Sequence, residues 1–235
     1  MYGFGPIAAA VSLLSAVLAA LTSFLTPLAG GFAAGAAVVV LTMLVRLLLV
    51  PLGVAQVRAE KARARIAPRL AELTARHKND PTRLVEEQRK VFAEAGTSPL
   101  AGCLPGLAQA PVLIAVYGLF TGAAVADEPL LEHTFAGVEL GSTLGASADG
   151  FLVAPVFAVL LVLLAALAWA SRRYLVLPSM AATPSGRPPV AAALSWIGFL
   201  PVVIAAFVPL AAGLYLVTTT AWTLGERLLL RRLLP

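Results

Sequence analysis

Long apolar stretches separated by short polar blocks set the pattern of this chain. Four stand out, at about 34–55, 103–124, 151–170 and 190–225. Each of the first three matches the roughly 20 residues that an α-helix needs to span a bilayer. The fourth runs for 36 residues, about 54 Å as a helix, or nearly two hydrocarbon cores of about 30 Å. It predicts two crossings, with the turn near Phe207, Val208 and Pro209. A core of five spans results. A further apolar stretch, 6–27, is diluted by Ser12, Ser15, Thr22, Ser23 and Thr26. Two readings stay open for it, an interfacial helix on the outer side or a sixth span. It lacks the charged n-region that a cleaved secretory signal carries.

The polar insert between the first two spans has a different period. Asn79-Asp80-Pro81 predicts a turn and a helix start, with Asp80 as N-cap and Pro81 at the first helical position. Leu84, Val85, Gln88, Val91, Phe92 and Ala95 then share one face, and Gly96 suits the helix end. The preceding segment, 57–78, is rich in Ala and Arg, and Pro68 predicts a kink or break in it. Together these segments predict a basic helical hairpin.

Composition changes the picture from helical to membrane-embedded. Hydrophobic residues make up 60% of the chain and charged residues 12%, against a usual charged share of about 25%. The fold class expected is an all-α membrane protein. The lone cysteine, Cys103, forms no internal disulfide, and His77 and His133 lie in unrelated segments, so no metal site is expected. No nucleophile–base pair or paired carboxylates occur within one candidate site, which argues against an enzyme.

Charge placement orients the spans. Residues 58–95 carry ten Lys/Arg and six acids, 127–149 carry five acids and no Lys/Arg, and 171–190 carry Arg172, Arg173 and Arg187 without an acid. Arg227, Arg231 and Arg232 follow the last span. The excess of Lys/Arg in cytoplasmic loops puts 58–95, 171–190 and the tail inside, and 127–149 outside. The expected layout is a 1–30 apolar segment, a first span 31–56, a cytoplasmic hairpin 57–98 and a second span 99–126. An acidic outer loop 127–150, a third span 151–171 and a cytoplasmic loop 172–189 come next. Fourth and fifth spans 190–226 and a short basic tail 227–235 complete it.

Arg46 is the only charged side chain in the first 57 residues, and it lies inside the first span. A charge at membrane depth costs roughly 2.5–3.5 kcal/mol on insertion scales, so it normally faces a protein interior or a watery cavity. Thr42, four residues earlier, shares its helix face. Gln109 in the second span and Thr218, Thr219 and Thr220 in the last fall at a similar depth from the cytoplasmic boundary, on the order of 9–15 Å at helical rise. No acid lies in the membrane interior to neutralise Arg46. Water and neutral acceptors must therefore solvate it, which predicts a hydrated pocket. For Gln109 and the threonines, ordinary interhelical hydrogen bonding is the competing account.

These residues now resemble the YidC family of membrane protein insertases. The resemblance rests on Thr42 to Leu52 followed by Gln56, on Ile66-Ala67-Pro68 in the basic insert, and on Gly96-Thr97-Ser98-Pro99-Leu100 through Pro105. It continues with Gln109-Ala110-Pro111, Tyr117, Pro209 to Tyr215 and Trp222, in the family's order over about residues 30–232. The resemblance implies an insertase with a hydrated groove open to cytoplasm and lipid, without cofactor or nucleotide hydrolysis. Its groove arginine matches Arg46, its neighbouring threonine Thr42 and its second-span glutamine Gln109, and Tyr215 and Thr219 are expected to join them in the groove. It also tips the 1–30 segment toward an interfacial outer helix. Implied partners are nascent membrane proteins and the lipid bilayer, with the ribosome and Sec translocase as further candidates and no specific nucleic acid. The basic residues expected to dock such partners are Arg58, Lys61, Arg65, Arg89 and Lys90. The implied location is the cell membrane of a bacterium, with hairpin and C-terminus cytoplasmic.

The chain departs from the family at Leu216, where a second aromatic is common, and at Thr219-Thr220, where Ser-Asn is common. No large domain precedes the first span, there is no lipoprotein cysteine near the start, and only three residues follow Arg232. Docking is therefore expected to rely on the hairpin rather than on a basic tail. Two rival readings are a small transporter or channel for an anionic solute and a membrane-complex assembly subunit. A transporter usually shows an internal repeat, and the hairpin has no later counterpart. An assembly subunit leaves Arg46 unexplained.

Overall fold

The structure is a computed structural model that describes residues 5–78, 80–96, 132–145, 150–181 and 195–233. The second span expected at 99–126, with Gln109 and Tyr117, lies outside the described residues. The chain separates into two compact units. The first holds residues 5–48, 132–145, 150–169 and 198–224 of the described chain, and the second holds 49–78, 80–96, 170–181, 195–197 and 225–233.

In the first unit, α1 (Gly5–Ala29) and α2 (Ala33–Leu48) are joined by a 3₁₀ turn, Gly30–Phe32. The apolar helical stretch from Val11 to Leu48 is 38 residues long, about 57 Å if straight and far more than one hydrocarbon core. Gly30 ends the first helix by taking φ +50°, a conformation open to glycine without strain. Helix α1 then packs on α2 through Val11, Ser15, Leu18 and Thr22, a stripe at helical spacing. The hydroxyl of Thr22 donates to Leu18 O at 2.9 Å, so its polar group is satisfied within the helix.

A two-residue β-hairpin follows, β1 (Thr134–Phe135) paired antiparallel with β2 (Val138–Glu139). Ala136 and Gly137 both have positive φ, as the tight mirror-image hairpin turn requires. Sequence reading expects only an acidic loop here. Instead Val138 and Leu140 are buried in the core of the first unit. Phe135 stacks edge-on against Phe32 with ring centroids 5.5 Å apart.

Helix α5 (Gly150–Ser171) and α8 (Leu210–Leu233) supply the rest of that core, preceded by the short α7 (Leu200–Ala205). Phe157, Leu160 and Leu164 of α5 meet Leu210, Ala211 and Ala212 of α8, with Ala37, Val38 and Leu41 of α2 and Leu18 of α1. The small residues at the start of α8 permit close approach, as membrane helix contacts prefer. The loop after β2 also closes the N-terminus of α8. The amides of Leu210 and Ala211 donate to Ser142 O and Leu140 O, both at 3.0 Å. Those amides have no partner inside their own helix. The turn before α8 falls at 206–209, where the sequence places it.

Among the described residues, two stretches, Val11–Leu48 and Val153–Met180, are long and apolar enough to cross a membrane by length and composition. Val159, Val162 and Leu163 on α5 and Leu47 and Leu48 on α2 point outward although large and apolar. A bilayer, not water, is the solvent that such faces suit.

In the second unit, α3 (Val50–Arg76) begins one residue after α2 ends. Pro51 has no N–H to offer Leu47 O, and the amides of Leu52 and Gly53 instead converge on Leu49 O at 3.0 and 3.1 Å. Helix α3 continues through Pro68, so the kink or break expected there takes no form of interruption. Ala64 and Pro68 are both exposed, so the carbonyl that Pro68 leaves without a helix partner has access to water. Helix α4 (Pro81–Glu94) starts as its sequence dictates. Asp80 Oδ1 accepts from the Arg83 amide at 3.0 Å, and Gly96 follows the helix at φ +60°. Val91 and Phe92 are buried, and Arg69 Nη1 donates to Glu94 Oε2 at 2.7 Å. Beyond α5 the chain stays helical through a π-turn, Arg172–Val176, and α6 (Leu177–Ala181), where sequence reading expects loop. The widened turn lies just before Pro178, which has no N–H for a regular helical bond.

Gly35 sits where the Phe135 ring rests, so a Cβ there collides with it. Gly35→Ala is expected to lower stability by about 1–3 kcal/mol through overpacking, read by thermal unfolding in detergent micelles. In a Phe135→Ala background the same change should cost far less, because the two residues share one contact.

Candidate functional site

Arg46 is half-buried in the last turn of α2. Its neighbours Met43, Leu44, Leu47 and Leu48 all face outward and are apolar. Two physical terms hold the cation there. The helix C-terminus carries partial negative charge, which favours a cation in the last turn by a few tenths to about 1 kcal/mol. The second term is a hydrogen bond, in which Arg46 Nε donates to Thr219 Oγ1 at 2.8 Å. Among the described residues, no carboxylate pairs with Arg46.

The threonines of α8 separate by what their hydroxyls do. Thr218 and Thr220 donate to Leu214 O and Leu216 O, four residues back, at 2.8 and 2.7 Å. Thr223 donates to Thr219 O at 2.8 Å. Thr219 is the one whose hydroxyl meets the guanidinium. Thr42 is buried at 4% exposure, and its hydroxyl donates to Val38 O at 2.7 Å. It lies one turn from Arg46 but points its proton into its own helix. Tyr215 is half-buried against the core of the first unit. Gln109 lies outside the described residues. Arg46 and Thr219, 173 residues apart in sequence, are thus the pair that the fold brings together.

Of the cations expected to dock partners, Arg58, Arg65 and Arg89 are exposed. Lys61 Nζ donates to Arg231 O at 3.5 Å. Lys90 is engaged with Glu87 at 2.7 Å. Its hydrogen bond holds the Glu87 carboxyl below the usual carboxylate range, and Glu87 in turn raises the Lys90 ammonium. Sequence reading does not single out a further cluster in the second unit. Glu60 accepts from Arg227 Nη1 at 3.2 Å and from Arg231 Nη2 at 3.4 Å. The spacing of Arg227 and Arg231, one helical turn, is the signal that could have found it. Among the described residues, no group of three or more His, Cys, Asp or Glu is placed to hold a metal ion.

Residues 24–235 match the sequence model of a family described as 60Kd inner membrane protein. A membrane protein insertase YidC of Streptomyces avermitilis is 32% identical over 220 residues, which cover 84% of this chain and 51% of that protein. One from Clostridium perfringens is 43% identical over 82 residues, 35% of this chain and 34% of that protein. An inner membrane ALBINO3-like protein 2, chloroplastic, of Chlamydomonas reinhardtii is 40% identical over 101 residues, 43% of this chain and 24% of that protein. The chain spans about half the length of these relatives or less.

Two outcomes follow from the site. Thr219→Val should cost about 1–2 kcal/mol, the range for a partly exposed bond to a charged donor, while Thr219→Ser stays close to the parent. The cost should vanish in an Arg46→Gln background when melting is compared in micelles. Glu87, being held below its ordinary value, adds to stability above that value and loses its contribution as pH falls through the depressed one. Lys90→Gln should bring the Glu87 titration, followed by NMR, back up toward the ordinary carboxylate range.

Proposed function

The chain belongs to the YidC family of 60Kd inner membrane proteins, and from that membership we propose that it inserts membrane proteins and helps them fold. The observation that carries the mechanism is the Arg46–Thr219 contact between α2 and α8, with Arg46 lying in an apolar stretch of α2. A half-buried guanidinium with one neutral acceptor among the described residues demands further solvation. Water in a groove open toward the cytoplasm supplies it in this reading.

The steps then follow from solvation. A short polar tail or loop of a substrate enters the groove, where its backbone groups find hydrogen-bond partners that lipid lacks. Arg46 attracts acidic groups on that tail, and its planar fork suits carboxylates. The apolar helix of the substrate then partitions into lipid, driven by removal of its surface from water. The groove shortens the apolar path that the polar part must cross. No bond is made or broken, and nucleotide hydrolysis has no place in this scheme. In this reading Gln109 lines the groove, Tyr215 borders it and Thr219 fixes the guanidinium, while Thr42 is buried one turn from Arg46.

Five spans, an outer interfacial α1 and a cytoplasmic hairpin at 57–98 complete the proposed layout. The charge distribution supports this orientation in a bacterial inner membrane. Arg58, Lys61, Arg65, Arg89 and Lys90 form the docking face of the hairpin, for a ribosome or a Sec translocase.

The test is insertion into liposomes that contain the purified protein, with a single-span substrate bearing an acidic N-terminal tail. Protection of the tail from added protease scores insertion. Arg46→Ala should reduce insertion about ten-fold, the effect of roughly 1.4 kcal/mol. Arg46→Lys should retain more, since it keeps the charge and loses the fork. Full activity of Arg46→Ala on every substrate would remove the electrostatic role. Solute flux without insertion would replace the proposal with an anion transporter.

A further inference from the structure

The second unit contains a cavity of about 660 Å³ between α3, the π-turn with α6, and the last turns of α8. Among the described residues, four cations line it, Lys61, Arg63, Arg227 and Arg231, against one acid, Glu60. Glu60 is already shared between two guanidiniums, at 3.2 and 3.4 Å. Arg231 also donates from Nη1 to Leu175 O at 3.3 Å, which fixes its orientation. Arg227 and Arg231 are only about one-third exposed, at 34% and 30%. The lining is thus rich in positive charge, and the two partly buried guanidiniums favour an anion beside them. Guanidiniums bind phosphate through paired N–H groups and so suit that anion.

The rest of the wall is apolar. Val57, Leu175, Val176 and Pro178 contribute to it, and Val57 is 2% exposed. A free phosphate has no use for such a wall, whereas a lipid carries acyl chain next to its phosphodiester. The lining segment 175–179 lies four residues beyond the apolar run 151–170 in sequence, where a membrane span meets its interface. We propose that this cavity binds the phosphate headgroup of an anionic glycerophospholipid, with the lipid glycerol and first acyl carbons against the apolar wall. The proposal rests on membrane residence and not on insertion, so it stands or falls separately from the groove.

The experiment uses the full chain in detergent micelles, with native mass spectrometry to count retained lipid. Phosphatidylglycerol and phosphatidylcholine are the two lipid probes, and glycerol 3-phosphate is the soluble competitor. Phosphatidylglycerol should be retained in preference to phosphatidylcholine, and the double variant Lys61→Gln with Arg63→Gln should lower its affinity roughly ten-fold or more, two juxtamembrane charges being removed. Arg76→Gln, a charge change on an exposed position of α3 away from the cavity, should leave retention unchanged. Should the double variant fail to fold, exposed Arg63→Gln alone carries the test with about a three-fold loss, and Arg63→Lys should recover most of it. Equal retention of both lipids would overturn the proposal. So would an equal loss with Arg76→Gln, which means diffuse surface charge. Displacement by glycerol 3-phosphate at concentrations equal to the lipid would reassign the cavity to a soluble phosphate ester.

Discussion

A guanidinium cannot be left dry among leucines. Arg46 sits in a helix whose neighbouring side chains are apolar and face outward, and its hydrogen bond among the described residues goes to Thr219. The helix C-terminus lowers the cost further, since Arg46 lies in the last turn of α2. The turn at Leu49 that ends α2 is therefore part of the site. Pro51 creates that turn by withholding an N–H from Leu47.

The rest of the first unit fixes the register of that contact. Thr219 reaches Arg46 because the start of α8 is anchored, and two separate features anchor it. Leu140 and Ser142 accept the first free amides of α8, and Ala211 and Ala212 let its backbone close on the core beside Leu160. The β-hairpin that carries Leu140 is in turn held by Phe135 against Gly35 and Phe32. A chain of short-range packing thus runs from the β-hairpin to α2 and α8, the two helices that hold the charged contact. The second unit has its own electrostatic centre, Glu60 between Arg227 and Arg231, with a cationic cavity around it.

Local chemistry was the readable part of the sequence. Asp80, Pro81 and Gly96 each act through a neighbour within a few residues, so α4 and its ends follow from the text of the chain. The turn at 206–209 follows from length and Pro209. Arg46 and Thr219 were legible as polar groups at one depth. Depth alone suggested that they meet, and only the fold shows which of three adjacent threonines turns toward the cation. Thr42 shows the converse, since sharing a face with Arg46 did not decide where its proton points. What stayed hidden depends on tertiary context. Pro68 is tolerated because its surroundings are solvated, the π-turn defers the end of a helix, and an acidic loop folds because Phe135, Val138 and Leu140 find a core. The Glu60 cluster joins segments more than 160 residues apart, which no local period can reveal.

The central claim is that Arg46 faces water that communicates with one side of the membrane. The direct measurement replaces Arg46 with cysteine in a Cys103→Ser background and labels it in oriented vesicles with a membrane-impermeant thiol reagent. Labelling from the side that bears the basic hairpin, and not from the other, is the result expected. No labelling from either side would mean a dry site and would contradict a hydrated groove. Labelling from both sides would contradict closure to the outside.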